Sequence, residues 1–130
     1  MSLLEMLVAL AIAGLIGSVA YPRLERAGQV MALRQSADIL IHDLRLSRAA
    51  ALRRGMAVSV LPAGGGRGYV LPGGVVREMP DGVWLEPGAG GLRFFRDGTA
   101  AGDGFVIAIA GRRVGVLAEP GTGTIIRVEP

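Results

Sequence analysis

The chain has 130 residues, 51% of them hydrophobic, with 14 basic residues against 11 acidic ones for a net charge of +3; that is room for one domain and an extension, and a second catalytic domain does not fit. With no cysteine there can be no disulfide, thiolate zinc site or cysteine nucleophile, and because every basic residue is Arg there is neither a Walker lysine nor a Schiff-base lysine. All the Arg lie at Arg23 or beyond, where 14 Arg face 10 acidic residues, a net of +4 that permits contact with nucleic acid or anionic lipid without specifying either.

From Met6 to Tyr21 the apolar run is almost unbroken. A helix from Met1 to Tyr21 would measure about 31 Å at about 1.5 Å per residue, which matches a bilayer core of about 30 Å. Residues 1–22 therefore read as a membrane-spanning helix. A cleaved secretory signal is the competitor, but no basic segment precedes the run and the helical pattern continues past Pro22. Arg23 and Arg26 follow the span while no Arg precedes it, which by the positive-inside rule would leave the rest of the chain cytoplasmic. Removal of a short basic leader from before residue 1 would reverse that orientation.

Glu5 stands out in this run. A carboxylate at the bilayer centre costs about 2.5–3.5 kcal/mol, so either Glu5 has a function and a partner, or it sits at head-group level and favours the positive helix N-terminus. Pro22 should kink the helix, because it removes one backbone bond and clashes with the preceding turn. Gly14 and Gly17 weaken the same stretch by about 1 kcal/mol each relative to Ala.

Residues 23–55 turn polar, yet Leu33, Ala37, Leu40, Leu44 and Ala51, with Ser47 in the same row, recur at spacings of three and four. This is the apolar face of an amphipathic helix. Gly55 supplies a C-terminal stop, with Arg53 and Arg54 in the last turn. Arg23, Arg34, Arg45 and Arg48 fall within about 60° of one another beside the apolar face. They form either a solvated face softened by Asp38 and Asp43, or a partner-facing seam against neighbouring subunits or a phosphate backbone. His42, the only histidine, has no metal-ligand company and reads as a surface helix residue.

Residues 56–130 change period. Short runs rich in Val, Ile, Leu and aromatics (56–61, 69–71, 83–85, 92–95, 105–110, 114–117 and 124–128) read as β-strands. Between them stand Gly64-Gly65-Gly66, Pro72-Gly73-Gly74, Pro80-Asp81-Gly82, Asp97-Gly98 and Pro120-Gly121-Thr122-Gly123, all turn formers. The strand at 105–110 is apolar on both faces and should be central, paired with 113–117 across a turn at Gly111 and Arg112. The glycine-rich stretches 62–68 and 87–91 read as loops. The fold class is thus α+β: a long N-terminal membrane-spanning helix whose amphipathic half packs on an antiparallel β-sheet head, with 23–55 and 56–130 forming one globular domain. No glycine cluster completes G-x-G-x-x-G, and no nucleophile elbow or metal cluster is visible, so neither an enzyme nor a cofactor is expected.

The segment Ser2-Leu3-Leu4-Glu5-Met6-Leu7-Val8-Ala9-Leu10-Ala11-Ile12 resembles the mature N-terminus of type IV pilins and type II secretion pseudopilins. Two further stretches, 43–55 and Leu92-Arg93-Phe94-Phe95-Arg96-Asp97-Gly98-Thr99 running on to Glu119-Pro120-Gly121-Thr122-Gly123, are similar to the H-type minor pseudopilins and to the related FimT-type minor pilins. Met1 stands where that family has Phe, and Arg96 where it commonly has Pro in a Pro-Asp-Gly turn.

The resemblance implies a pilin-like, single-pass protein of the bacterial inner membrane with its head in the periplasm. It implies processing by a prepilin peptidase, N-methylation of residue 1, here Met1, and pairing of Glu5 with a neighbouring subunit's N-terminal amine during assembly. Pro22 would be the family's kink. Other minor pseudopilins, the major pseudopilin, secreted substrates and inner-membrane lipid are the implied partners. Nucleic acid enters only if the chain is instead a DNA-binding minor pilin.

Overall fold

The computed structural model describes residues 2–88 and 90–129. They form two compact units, Met1–Met31 and Ala32–Pro130. The division falls inside helix α1 (Leu3–Arg54) and within the stretch read from sequence as its amphipathic half.

In the first unit α1 is exposed on every side, from Leu3 to Gly28. Leu3, Leu4, Leu10, Leu15, Ile16 and Tyr21 each keep more than 60% of their surface open, so no described residue of this unit covers its apolar side chains. The helix is long and apolar enough here to cross a membrane. Pro22 lies inside it, where the missing N–H leaves the carbonyl of Ser18 without its usual donor, and the helix runs on unbroken past it.

The second unit holds the rest of α1 and an antiparallel sheet. The strands are β1 (Val58–Ala63), β2 (Gly68–Val70), β3 (Val76–Glu78), β4 (Trp84–Leu85), β5 (Gly91–Phe94), β6 (Ala100–Ile109), β7 (Arg112–Ala118) and β8 (Ile125–Val128). Their order in the sheet is β3-β2-β1-β5-β6-β7-β8, with β4 pairing β6 off this path. Every pairing is antiparallel. Seven of the eight strands coincide with the apolar runs of the sequence.

The missed strand is β3, three exposed residues, two of them charged, between two turn signals. It exists because the turn after Leu71 folds it back on β2, pairing Val76 with Val70 and Glu78 with Gly68. Two loop expectations also need correction. Pro62 and Ala63 finish β1 and pair with Tyr69 and Gly68, so 62–68 is a tight hairpin around a 3-10 turn at Gly64–Gly66. Gly91 opens β5, and Ala89 of the stretch 87–91 lies outside the described residues.

Strand β6 is central, as its two apolar faces implied. Its first half pairs with β5, and Phe105 to Ile109 pair with Val116 to Arg112 of β7. The connecting turn is Ala110-Gly111, one residue earlier than expected. Both residues have positive φ, 46° and 79°, which matches the right-handed twist of the flanking strands. Gly55 has φ 62° and ends α1 after Arg54, as its sequence position suggested.

The core lies between one stripe of α1 and the inner face of the sheet. Leu33, Ala37, Leu40, Leu44 and Ala51 meet Val60, Leu85, Leu92, Phe94, Phe105, Ile107 and Val116 in one continuous cluster. Ser47 sits in the same buried row and satisfies its hydroxyl by donating to the Asp43 carbonyl oxygen at 2.8 Å.

Candidate assembly site and Arg surface

Glu5 occupies the first turn of α1 and is exposed. Its backbone N–H donates to Ser2 Oγ at 3.3 Å, and the Met6 N–H donates to the Ser2 carbonyl oxygen at 3.2 Å. Ser2 therefore caps the helix and satisfies a donor that would otherwise be orphaned. The spacing Ser2-x-x-Glu5 is a capping-box signature, a signal for the helix start that the sequence carries in addition to its apolar run. The carboxylate also sits where the helix dipole favours negative charge, and among the described residues no group of His and acidic residues could hold a metal. Met1 lies outside the described residues.

The four-Arg stripe divides. Arg23, Arg34 and Arg45 are exposed, whereas Arg48 is half-buried and committed to the fold. Its Nε donates to the Gly98 carbonyl oxygen and its Nη2 to the Thr122 carbonyl oxygen, both at 2.9 Å. Arg48 thus ties α1 to the β5–β6 turn and the β7–β8 connection. It is a structural clamp, unlike the other three, which stand exposed. Gly123 closes this knot: with φ 70° and its backbone against the Gly98 carbonyl, a Cβ there would strike that oxygen and Arg48 Nε.

Asp43 is the larger correction. Expected to soften a solvated face, it is 3% exposed and stands at the centre of a polar cluster. Tyr69 Oη of β2 donates to Asp43 Oδ2 at 2.6 Å, and Arg77 of β3 donates from Nε to Oδ2 at 2.9 Å and from Nη2 to Oδ1 at 3.0 Å. A buried carboxylate needs this bidentate partner, because its water has been removed. Burial, and then the Asp43 carboxylate, push the Tyr69 hydroxyl well above the ordinary tyrosine range. The bond to Asp43 likewise holds Arg77 in its charged form. The sequence did carry a signal: Asp43 lies three residues after Leu40 and four before Ser47, on the buried row itself.

Asp38 is paired at the surface with Arg127, Nη2 to Oδ1 at 2.7 Å, and the same Nη2 donates to the Arg34 carbonyl oxygen at 3.2 Å. His42 is exposed. Across the second unit these polar groups thus brace α1 against the sheet, and charges of both signs remain exposed, Arg45, Arg112, Asp81 and Asp103 among them. No protein-family model, curated protein or solved structure matches the chain.

Proposed function

We propose that the chain is a non-catalytic minor pseudopilin of the H type, a subunit of the type II secretion pseudopilus that assembles at or near the tip and supports export of folded proteins across the outer membrane. The observation that carries this reading is Glu5, a lone carboxylate at the capped start of an apolar helix that nothing in its own unit covers. An exposed apolar helix needs lipid or other apolar helices around it, and a carboxylate in such surroundings needs a cation. The N-terminal amine of a neighbouring subunit supplies one. In this reading residues 1–22 hold the chain in the inner membrane before assembly and pack into the filament core afterwards. The sheet-bearing unit projects into the periplasm.

The test is deletion of the gene and complementation with wild type or Glu5→Ala, measuring exoprotein in the medium against that retained in the periplasm. Retention on deletion, rescued by wild type alone, is expected. Normal secretion in the deletion strain would remove the type II assignment. The net charge of +4 after the apolar run supports a second reading, a FimT-type minor pilin that binds DNA in uptake. Such binding should fall steeply with salt, with a log–log slope of about 0.9 per phosphate contact. The same strains, assayed for DNA uptake and pilus display, decide between the two.

A further inference from the structure

Strand β8 ends the sheet, and its register fixes which backbone groups it leaves unpaired. The Glu119 N–H donates to the Thr124 carbonyl oxygen at 2.9 Å, and from there the pairs Leu117–Ile126 and Gly115–Val128 exchange bonds with β7. Ile125 and Arg127 alternate with these, so their N–H and C=O groups point away from the sheet. Their side chains point inward, Ile125 into the core and Arg127 to Asp38 and the Arg34 carbonyl. Neither side chain screens the edge, and no proline interrupts it.

Beside this edge lies a recess of about 350 Å³ lined by Arg45, Arg48, Gly123, Thr124 and Ile125. Arg45 is exposed and makes no ion pair or hydrogen bond among the described residues. Arg48 adds a second positive charge that its two carbonyl acceptors position but do not neutralise.

We propose that this edge and recess form a docking site for an extended, carboxylate-bearing segment of a partner protein, which joins the sheet as a further strand beside β8. Main-chain bonds to Ile125 and Arg127 would supply adhesion, and a carboxylate held by Arg45 and Arg48 would supply selectivity. A phosphodiester backbone fits less well. It offers acceptors only and would leave the carbonyls of Ile125 and Arg127 bare, whereas a peptide strand offers donors and acceptors at the ladder's own spacing. The site belongs wholly to the second unit, so normal secretion in a deletion strain would leave it standing.

The experiment uses the full chain in detergent micelles, labelled for amide exchange and titrated with a capped hexapeptide alternating valine and glutamate. Its valine–lysine counterpart and a single-stranded oligonucleotide serve as comparisons. The acidic peptide should slow exchange at the Ile125 and Arg127 amides and bind about tenfold or more tighter than the lysine peptide. Arg45→Glu should weaken it by at least as much while leaving the unfolding midpoint unchanged. Absence of binding, binding without protection of those two amides, or an equal Arg45-dependent effect from the oligonucleotide would each overturn the proposal.

Discussion

One helix serves two regions that treat apolar side chains in opposite ways. In the first unit, α1 is almost wholly apolar as far as Tyr21 and buries none of its described residues; in the second it is half polar and buries a complete stripe. Hydrophobic composition therefore does not predict burial by itself. What buries a residue is an opposing surface, and within the second unit the sheet supplies one to α1. The helix of the first unit is long and apolar enough to cross a membrane.

The sharpest way to break this comparison is to truncate an apolar side chain in each region. Phe94→Ala, at a fully buried position, should cost about 3–5 kcal/mol and lower the thermal midpoint of the second unit markedly. Leu10→Ala, two-thirds exposed, should leave that midpoint unchanged when both variants are followed by circular dichroism in the same detergent. A comparable loss from Leu10→Ala would mean that the first unit is covered after all.

Polar groups sharpen the contrast, because those of the second unit are committed to the fold. Arg77→Ala strips the bidentate partner from buried Asp43 and should cost about 3 kcal/mol, the low end for a broken buried pair because half of the Arg77 side chain remains in water. Arg48→Ala removes two charged hydrogen bonds to carbonyls and should cost about 1.5 kcal/mol in chemical denaturation. Arg45→Ala, one turn earlier, should cost nothing measurable by the same assay.

Tyr69→Phe has the smallest effect near neutrality, about 1 kcal/mol, but a distinct pH signature. The Tyr69 hydroxyl is held protonated in the fold, so its contribution is whole below the unfolded tyrosine pKa of about 10 and is lost as pH rises above it. Wild-type stability should decline through that alkaline range by one proton more than that of the variant. Equal slopes from pH 9 to 11 would show that Tyr69 is not held as the geometry indicates.

Much of this architecture was legible in the residues. The apolar run, the stripe from Leu33 to Ala51, Gly55 as helix stop and seven strands between turn signals follow from local periodicity and backbone preference, which act over a few residues. Glu5 stood out for the same reason, as one charge in an apolar run. The failures share a cause. Strand β3 carries no pattern of its own and is held through β2 and Arg77. Asp43 looked like any surface acid until Tyr69 and Arg77, 26 and 34 residues away in sequence, came to it. Arg48 looked like its three neighbours until two distant carbonyls met it.

The sequence by itself determined where the helix and most strands lie and which helix face is apolar, because steric preference and hydrophobic spacing are properties of adjacent residues. Only the tertiary structure decided which charges are spent inside the fold and which remain at its surface. That depends on which carbonyls and carboxylates the folded sheet brings within hydrogen-bond reach, and residues far apart in the chain set those distances.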